Sequence, residues 1–181
     1  MIGCAVKPRC FGNWDPKRDA NVDYTKQAKS WMDCKIFCNW LNCLNSKMRN
    51  LHRNIWLLID NSATHAMPEG CAFEWFYMDG EGSPRVRGFK MSNITVLFIL
   101  LNVTSHVQPL DAGIINSFKA HYRKLHISWM IHELDSERIL TAAGARPDMK
   151  LEIKWIAEAW REVKPTTIQN CWNKTKILGS A

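Results

Sequence analysis

The sequence lacks any apolar run that approaches the roughly 20 residues needed to span a bilayer, so no membrane partner is expected. Its opening residues, Met-Ile-Gly-Cys-Ala-Val-Lys, also lack the apolar core of a signal peptide, which argues against secretion. Internal repeats and low-complexity segments are missing as well. These absences leave an ordinary globular protein as the expectation.

The cysteines lack the pattern of a disulfide or zinc framework. There are seven of them, an odd number, and without secretion we expect reduced thiols in the cytoplasm or nucleus. Cys34 and Cys38 lie one helical turn apart, but no second ligand pair with zinc spacing accompanies them. We therefore expect both to be buried small hydrophobic residues.

Acidic residues are in short supply, with 17 Asp and Glu against 24 Lys and Arg, for a net charge of +7. This excess favours a polyanionic partner such as nucleic acid, although a merely basic surface gives the same charge. A length of 181 residues suits one domain with a moderate core. Nine tryptophans must be buried, be stacked on something flat, or lack neighbours that this chain does not supply.

Hydrophobic periodicity in the first third of the chain predicts one helix and one strand. Residues 1–30 are irregular, with a short strand candidate only at 22–24. Residues 33–48 form an amphipathic pattern with Asp33 as N-cap, which predicts a helix. The continuous apolar run 55–59 predicts a strand that is covered on both faces.

The middle of the chain contains glycine- and proline-containing segments, followed by a second apolar run. Residues 62–70 are compatible with a short helix, and residues 79–88, rich in glycine and charge, predict a surface loop. A second buried strand is predicted over 93–101.

Helical periodicity dominates the last third. After Gly113 the pattern predicts a helix with Lys119, His121, Arg123 and Lys124 on its polar face. Its apolar face is formed by Ile114, Ile115, Phe118, Tyr122, Leu125 and Trp129. Further helices are predicted over 148–161, with Trp155, Ile156 and Trp160 inward, and over 166–176, opened by the capping-box pattern of Thr166 and Gln169.

Two carboxylates stand out by position. Asp60 closes the strand 55–59, and Asp111 lies at a loop-to-helix junction after the strand 93–101. Ligands gather at strand ends in α/β sheets, and a helix N-terminus would help to keep Asp111 ionised. Phosphodiester chemistry commonly uses two divalent ions held by acidic side chains. Aspartates at strand ends also cap turns and helices, so both interpretations stay open at this level.

Two motifs around these aspartates resemble the DDE superfamily of pogo/Tigger/jerky-type transposases. Trp56-Leu-Leu-Ile-Asp60-Asn61-Ser-Ala-Thr-His65 resembles the family's hydrophobic strand followed by Asp-Asn-x-x-x-His. Residues 102–119 resemble its block Asn-x-Thr-Ser-x-x-Gln-Pro-x-Asp-x-Gly-x-Ile-x-x-Phe-Lys. Further matches follow in family order at residues 7–11, 31–41 and 166–172, so the resemblance covers nearly the whole chain.

The resemblance implies an α/β, RNase H-like fold with residues 1–134 as a partial endonuclease domain and 135–181 as its helical C-terminal extension. It implies ancestry in Mg²⁺-dependent (or Mn²⁺-dependent) DNA cleavage and strand transfer, in the nucleus, on transposon ends or non-specific DNA. Asp60 matches the second acidic ligand and Asp111 the third. These two residues are therefore the expected catalytic and metal-binding pair.

Other side chains match positions beside the metals or offer positive charge. Asn61, His65 and Gln108 are expected to orient ligands or contact DNA, although a turn-capping Asn61 and a hydrogen-bonded structural His65 are equally open. Phosphate contacts are expected from basic residues that, taken singly, are typical of a solvated surface. These are Lys119, Arg123 and Lys124, with Arg85, Arg87 and Lys90 as further candidates.

Three departures from the family bear on activity. The family's strand with the first catalytic Asp is expected before residues 7–11, and it is missing. Its absence predicts an open edge on strand 55–59 and marginal folding. It also predicts weak metal binding and no nuclease activity from this chain alone. Asp60 and Asp111 are 51 positions apart, and the surplus around 70–90 is expected to be a surface insertion or a gene-model artefact. Leu100 and Leu101 stand where the family has prolines. A clipped or decayed transposase is the leading hypothesis, and a domesticated, non-catalytic DNA-binding or protein-interaction protein is the alternative.

Overall fold

The protein is an α/β structure of two compact units, seen in a computed structural model that describes residues 1–77, 85–99, 108–136 and 146–177. One unit comprises Met1–Trp31 and Gly113–Cys171, and the other comprises Met32–Ala112 and Trp172–Ala181. Strands in chain order are β1 (Ile2–Gly3), β2 (Thr25–Lys26), β3 (Ile55–Ile59), β4 (Phe73–Tyr77), β5 (Arg85–Lys90) and β6 (Ile94–Phe98). Helices are α1 (Pro16–Ala20), α2 (Cys34–Asn50), α3 (Ile115–Asp135), α4 (Met149–Arg161) and α5 (Pro165–Thr175).

A four-stranded mixed sheet in the order β3-β6-β5-β4 forms the centre of the second unit. β3 runs parallel to β6, whereas β5 is antiparallel to both β6 and β4. Within the described ranges β3 is hydrogen-bonded to a neighbouring strand, β6, on one side only.

Helix α2 covers one face of this sheet. Its start is the predicted one, because the Asp33 side chain accepts a hydrogen bond from the Ile36 N–H at 2.8 Å. Phe37 and Leu41 are buried against Phe89 and Val96 of the sheet. The prediction that strand 55–59 is covered on both faces is wrong for β3, since Trp56 points to the other face and is 56% exposed.

Residues 70–90 differ most from expectation. The structure has turns at 62–70 rather than a helix, since Ser62 and Thr64 bond to each other and Pro68 and Gly70 break helical backbone. Of the predicted 79–88 loop, residues 79–84 lie outside the described residues, and residues 85–88 belong to β5, which pairs with β4. The described part of the 70–90 segment therefore adds two strands, β5 and β4, at one edge of the sheet.

The first unit packs its N-terminal segment on α4. β1 pairs in parallel with β2, which begins at Thr25, just after the strand candidate predicted at 22–24. Asp15 caps the short helix α1, which the sequence pattern missed. A small core joins these elements, formed by Phe11, Ala20, Ile153 and Ala157.

Aromatic rings join α3 to α4. Tyr122 and Trp129 contact Trp155, with ring centroids about 6 Å apart, and Trp155 is buried as predicted. Trp160 meets Phe118 edge-on but stays 51% exposed, so its inward placement was only partly right.

Two details of the later helices depart from the sequence pattern. Helix α5 begins at Pro165 rather than being capped by Thr166, because the Lys164 carbonyl accepts the first free N–H groups of the helix. The polar face of α3 ends in exposed apolar residues that were not predicted, namely Ile127, Ile131 and Leu134. None of the helices in the described residues is long and apolar enough for a membrane span.

Candidate functional site

Asp60 leaves the sheet beside the end of β6. The Ile99 N–H donates to the Ile59 carbonyl at 2.8 Å, which continues the parallel pairing one residue beyond the end of β6. The Asn61 side-chain amide donates to the carbonyl of Ile99. Asn61 therefore has a structural role in this corner, because it ties the segment after β3 to the segment after β6.

The Asp60 carboxylate is held through one oxygen. His65 Nδ1 lies 2.7 Å from Asp60 Oδ1 and 3.0 Å from the Asp60 carbonyl oxygen. The Ser62 N–H donates to the same Oδ1 at 3.2 Å. No contact to Oδ2 is recorded within the described part of the chain, and the side chain is 44% exposed. These two contacts thus fix Oδ1, while the side chain stays partly open to solvent.

His65 is fixed by α2 as well as by Asp60. Its ring centroid lies 4.6 Å from that of the buried Phe37. The turn that carries His65 is also bonded to the start of α2, since the thiols of Cys34 and Cys38 donate to the carbonyls of Ala63 and Ala66. The same contacts therefore allow His65 both to stabilise the turn as a hydrogen-bonded structural residue and to orient the Asp60 carboxylate.

The two cysteines differ in burial. Cys38 is half-buried against the core, and burial, reinforced by the nearby Cys34 and Cys71 thiols, raises its pKa, which keeps the thiol protonated as a donor. Cys34 is exposed, so the expectation of a buried Cys34 was wrong. Its place in the first turn of α2 leaves its side chain over the surface turn.

Gln108 and Asp111 lie together in the turn before α3. The Gln108 carbonyl accepts the N–H groups of Asp111 and Ala112, both at 3.0 Å. Pro109 is buried, whereas Asp111 is exposed. The junction was predicted, but Asp111 belongs to a π-helical turn, Leu110–Ile114, whose backbone is non-helical at Gly113. Any influence of the α3 dipole on Asp111 is therefore reduced, because that effect fades within one turn.

The site residues thus form two local groups. Asp60, Asn61 and His65 meet at the end of β3, and Gln108 and Asp111 share one turn. The connection through residues 100–107, including Leu100 and Leu101, lies outside the described residues. Carboxylate oxygens suit Mg²⁺ or Mn²⁺, but the described ranges hold no group of three or more His, Cys, Asp or Glu residues placed to bind a metal.

The predicted phosphate contacts fall into two sets. Lys119, Arg123 and Lys124 are all exposed on α3. On β5, Arg85 and Arg87 are exposed too, but each lies against an aromatic ring of β4, Tyr77 or Phe73. Sequence reasoning missed these rings, although the alternation of Phe73, Trp75 and Tyr77 carried the signal of a strand with one aromatic face.

Comparison with known proteins gives a consistent answer. A family model described as DDE superfamily endonuclease matches residues 1–172. CENP-B homolog protein 2 of Schizosaccharomyces pombe is 25% identical over 180 residues, which are 98% of this chain and 32% of that protein.

Two mammalian proteins match over similar lengths. Tigger transposable element-derived protein 4 of Mus musculus is 24% identical over 93% of this chain and 27% of its own length. The Jerky protein homolog of Homo sapiens is 23% identical over 96% of this chain and 27% of its own length. The chain thus spans about a third of these relatives or less, and no solved structure gives a significant match.

Proposed function

Because the chain belongs to the DDE superfamily of endonucleases and is related to transposase-derived proteins, as its motifs predicted, we propose that it is a DNA-binding domain with two metal-ligand carboxylates, Asp60 and Asp111. Its architecture is RNase H-like, with residues 1–134 as the endonuclease part and 135–181 as the helical extension. The mixed sheet, with Asp60 following a strand that is parallel to its neighbour, is compatible with that fold.

The observation that best supports the carboxylate role is the geometry of Asp60. Its Oδ1 is fixed by His65 and Ser62, so the remaining oxygen is oriented before any ligand arrives. Metal-ligating carboxylates are usually hydrogen-bonded in this way, because the partner sets their orientation. Asp111, exposed on a short turn, supplies the second hard oxygen ligand, and Gln108 stabilises that turn through its carbonyl.

Metal chemistry needs more than these two ligands. When bound, divalent ions would activate the attacking oxygen of a phosphodiester cleavage and stabilise the leaving one. Two carboxylates without a third in the described ranges bind such ions weakly. We therefore expect no measurable cleavage of supercoiled plasmid by the purified chain with Mg²⁺ or Mn²⁺. Cleavage that Asp60→Ala abolishes would show instead that the centre is complete.

DNA, whether transposon ends or non-specific sequence, is the proposed partner, and the nucleus is the proposed location. The support is the charge of +7 and the exposed cations on α3, Lys119, Arg123 and Lys124. These side chains contact phosphates, which gives an affinity that falls steeply with salt.

Replacing Lys119, Arg123 and Lys124 together by alanine should weaken binding to duplex DNA and reduce the slope of log affinity against log salt by about one for each lost contact. Fluorescence anisotropy of a labelled duplex over a salt series measures both quantities. Lys154→Ala, which removes an exposed cation from α4, is the control and should change the slope least. If the chain shows no retention on DNA at low salt, a DNA partner is excluded.

A further inference from the structure

The strand pair β4–β5 presents an exposed face on which aromatic rings and arginines interleave. Phe73, Trp75 and Tyr77 occupy alternate positions of β4, so they share one face of the sheet. In the antiparallel register Trp75 lies opposite Arg87, and Tyr77 lies opposite Arg85. These five residues form what we call the aromatic–arginine face.

This face is rigid at one end and open at the other. The Phe73 ring meets the buried Phe89 and Phe98 edge-on, with centroids 6.3 and 6.0 Å away, which anchors it to the core beneath α2. Farther along the strand Trp75 is 64% exposed and Tyr77 is 40% exposed. Large rings are thus offered to solvent from paired strands.

The two arginines lie flat against this aromatic surface. The Arg87 guanidinium is 3.8 Å from the Phe73 ring centre, a cation–π contact. Arg85 donates through Nε to the Tyr77 hydroxyl at 2.9 Å. Neither arginine forms an ion pair in the part of the chain that the structure describes. Glu74, between the rings in sequence, points to the opposite face because strand side chains alternate.

Exposed aromatic rings beside these arginines indicate which kind of ligand fits the aromatic–arginine face. An apolar protein surface would cover the rings but would bury two guanidinium groups without anions, at a high desolvation cost. Duplex DNA offers phosphates, but its base faces are hidden in the stack. An unpaired strand offers both phosphates and open base faces, and aromatic rings beside cations are the usual platform for such strands.

We propose that the aromatic–arginine face binds an unpaired nucleic-acid strand, with bases stacked on Trp75 and Tyr77 and phosphates held by Arg85 and Arg87. This goes beyond the proposed function, because the face needs neither carboxylate and no metal. It also gives the two strands at 70–90 a role of their own, since they carry every residue of the face.

The test compares binding of a labelled oligothymidylate of about 15 nucleotides with binding of a duplex of equal length, by anisotropy at low salt in EDTA. Trp75→Ala should weaken single-strand binding roughly 5- to 150-fold, the range of a lost base–aromatic stack, and should affect duplex binding less. Trp75→Phe keeps a ring and should retain most of the affinity. Arg87→Ala should also weaken strand binding.

Trp56→Ala is the matched control, because Trp56 is about equally exposed on the same sheet but lies on its opposite face. It should leave single-strand binding unchanged. Unchanged circular dichroism and urea midpoints establish that Trp75→Ala is folded. Equal effects of Trp75→Ala and Trp56→Ala would overturn the proposal. So would conversion of an oligomer to a monomer by Trp75→Ala in sedimentation, because the face would then join copies of the chain. Since EDTA removes divalent ions, the outcome does not depend on the metal centre at Asp60 and Asp111.

Discussion

At the scale of single residues, His65 combines structural and functional roles. Its ring packs on Phe37 while its Nδ1 faces Asp60, so the same contacts that fold the turn also orient the carboxylate. The motif identified both residues from the sequence. The contact with Phe37 was not predictable, because it depends on how α2 packs on the sheet, which periodicity alone does not specify.

A second residue, Glu152 on α4, provides a pH prediction. Burial raises its pKa from the ordinary 4.5, nearby Asp148 adds to this, and His126 opposes it. The folded state therefore holds a proton that the unfolded state has already released, so stability falls as the pH rises from the unfolded pKa through the folded one.

Glu152→Gln should remove this fall, because glutamine keeps the shape and carries no charge. The variant should be more stable than the parent at about pH 7, by no more than about 1 kcal/mol for so solvent-screened a group, and similar to it at about pH 3. Urea denaturation at both pH values measures the difference. A variant less stable than its parent at neutral pH would mean that ionised Glu152 is favourably paired.

At the scale of elements, the four longer helices and the strands β3 and β6 followed from the sequence, whereas α1, β1 and the pair β4–β5 did not. Asp33 and the spacing of Phe37 and Leu41 predicted α2, and the run 55–59 predicted β3, because these signals are local. Residues 79–88 contain breakers and charges that are typical of a loop. The pairing of residues 85–88 within β5 depends on β4 and β6, and tertiary context decides strand formation more strongly than local propensity does.

Gly88 offers a direct test of the β5 register. A Cβ at this position would lie 2.2 Å from the Val96 carbonyl oxygen and 3.0 Å from side-chain atoms of Leu97 and Phe76. Gly88→Ala should therefore destabilise the protein by about 1–3 kcal/mol, since backbone cannot move aside as a side-chain end can. Thermal or urea unfolding measures this loss.

Glu74→Ala is the companion variant, since Glu74 is exposed directly opposite Gly88 on β4. Removing a solvated side chain there should change stability by no more than about 0.5 kcal/mol. Equal, small effects of the two substitutions would contradict the packing of β5 against β6.

At the scale of the whole molecule, the family was predictable because two motifs and their order survive in the sequence, and the match over residues 1–172 confirms it. For the nine tryptophans the sequence left burial, stacking and a lack of packing neighbours open. Five of the nine, Trp31, Trp40, Trp56, Trp75 and Trp160, are at least 40% exposed. Their positions could not be inferred, because helical or strand periodicity places a ring on a face without showing whether that face is covered.

The central proposal is that Asp60 and Asp111, far apart in sequence, contribute ligands to the same divalent-metal site. Paramagnetic line broadening by Mn²⁺, followed residue by residue in NMR spectra of the full chain, tests it most directly. We predict that signals of Asp60, His65 and Asp111 broaden together and saturably. Asp60→Asn should abolish this broadening. His65→Phe should lower the Mn²⁺ affinity, read from the concentration at which broadening saturates, about 10- to 100-fold. Asp23→Asn, which changes an exposed carboxylate of the other unit, should leave the broadening intact. Broadening at only one of the two aspartates, or broadening that persists in Asp60→Asn, would contradict a shared metal site.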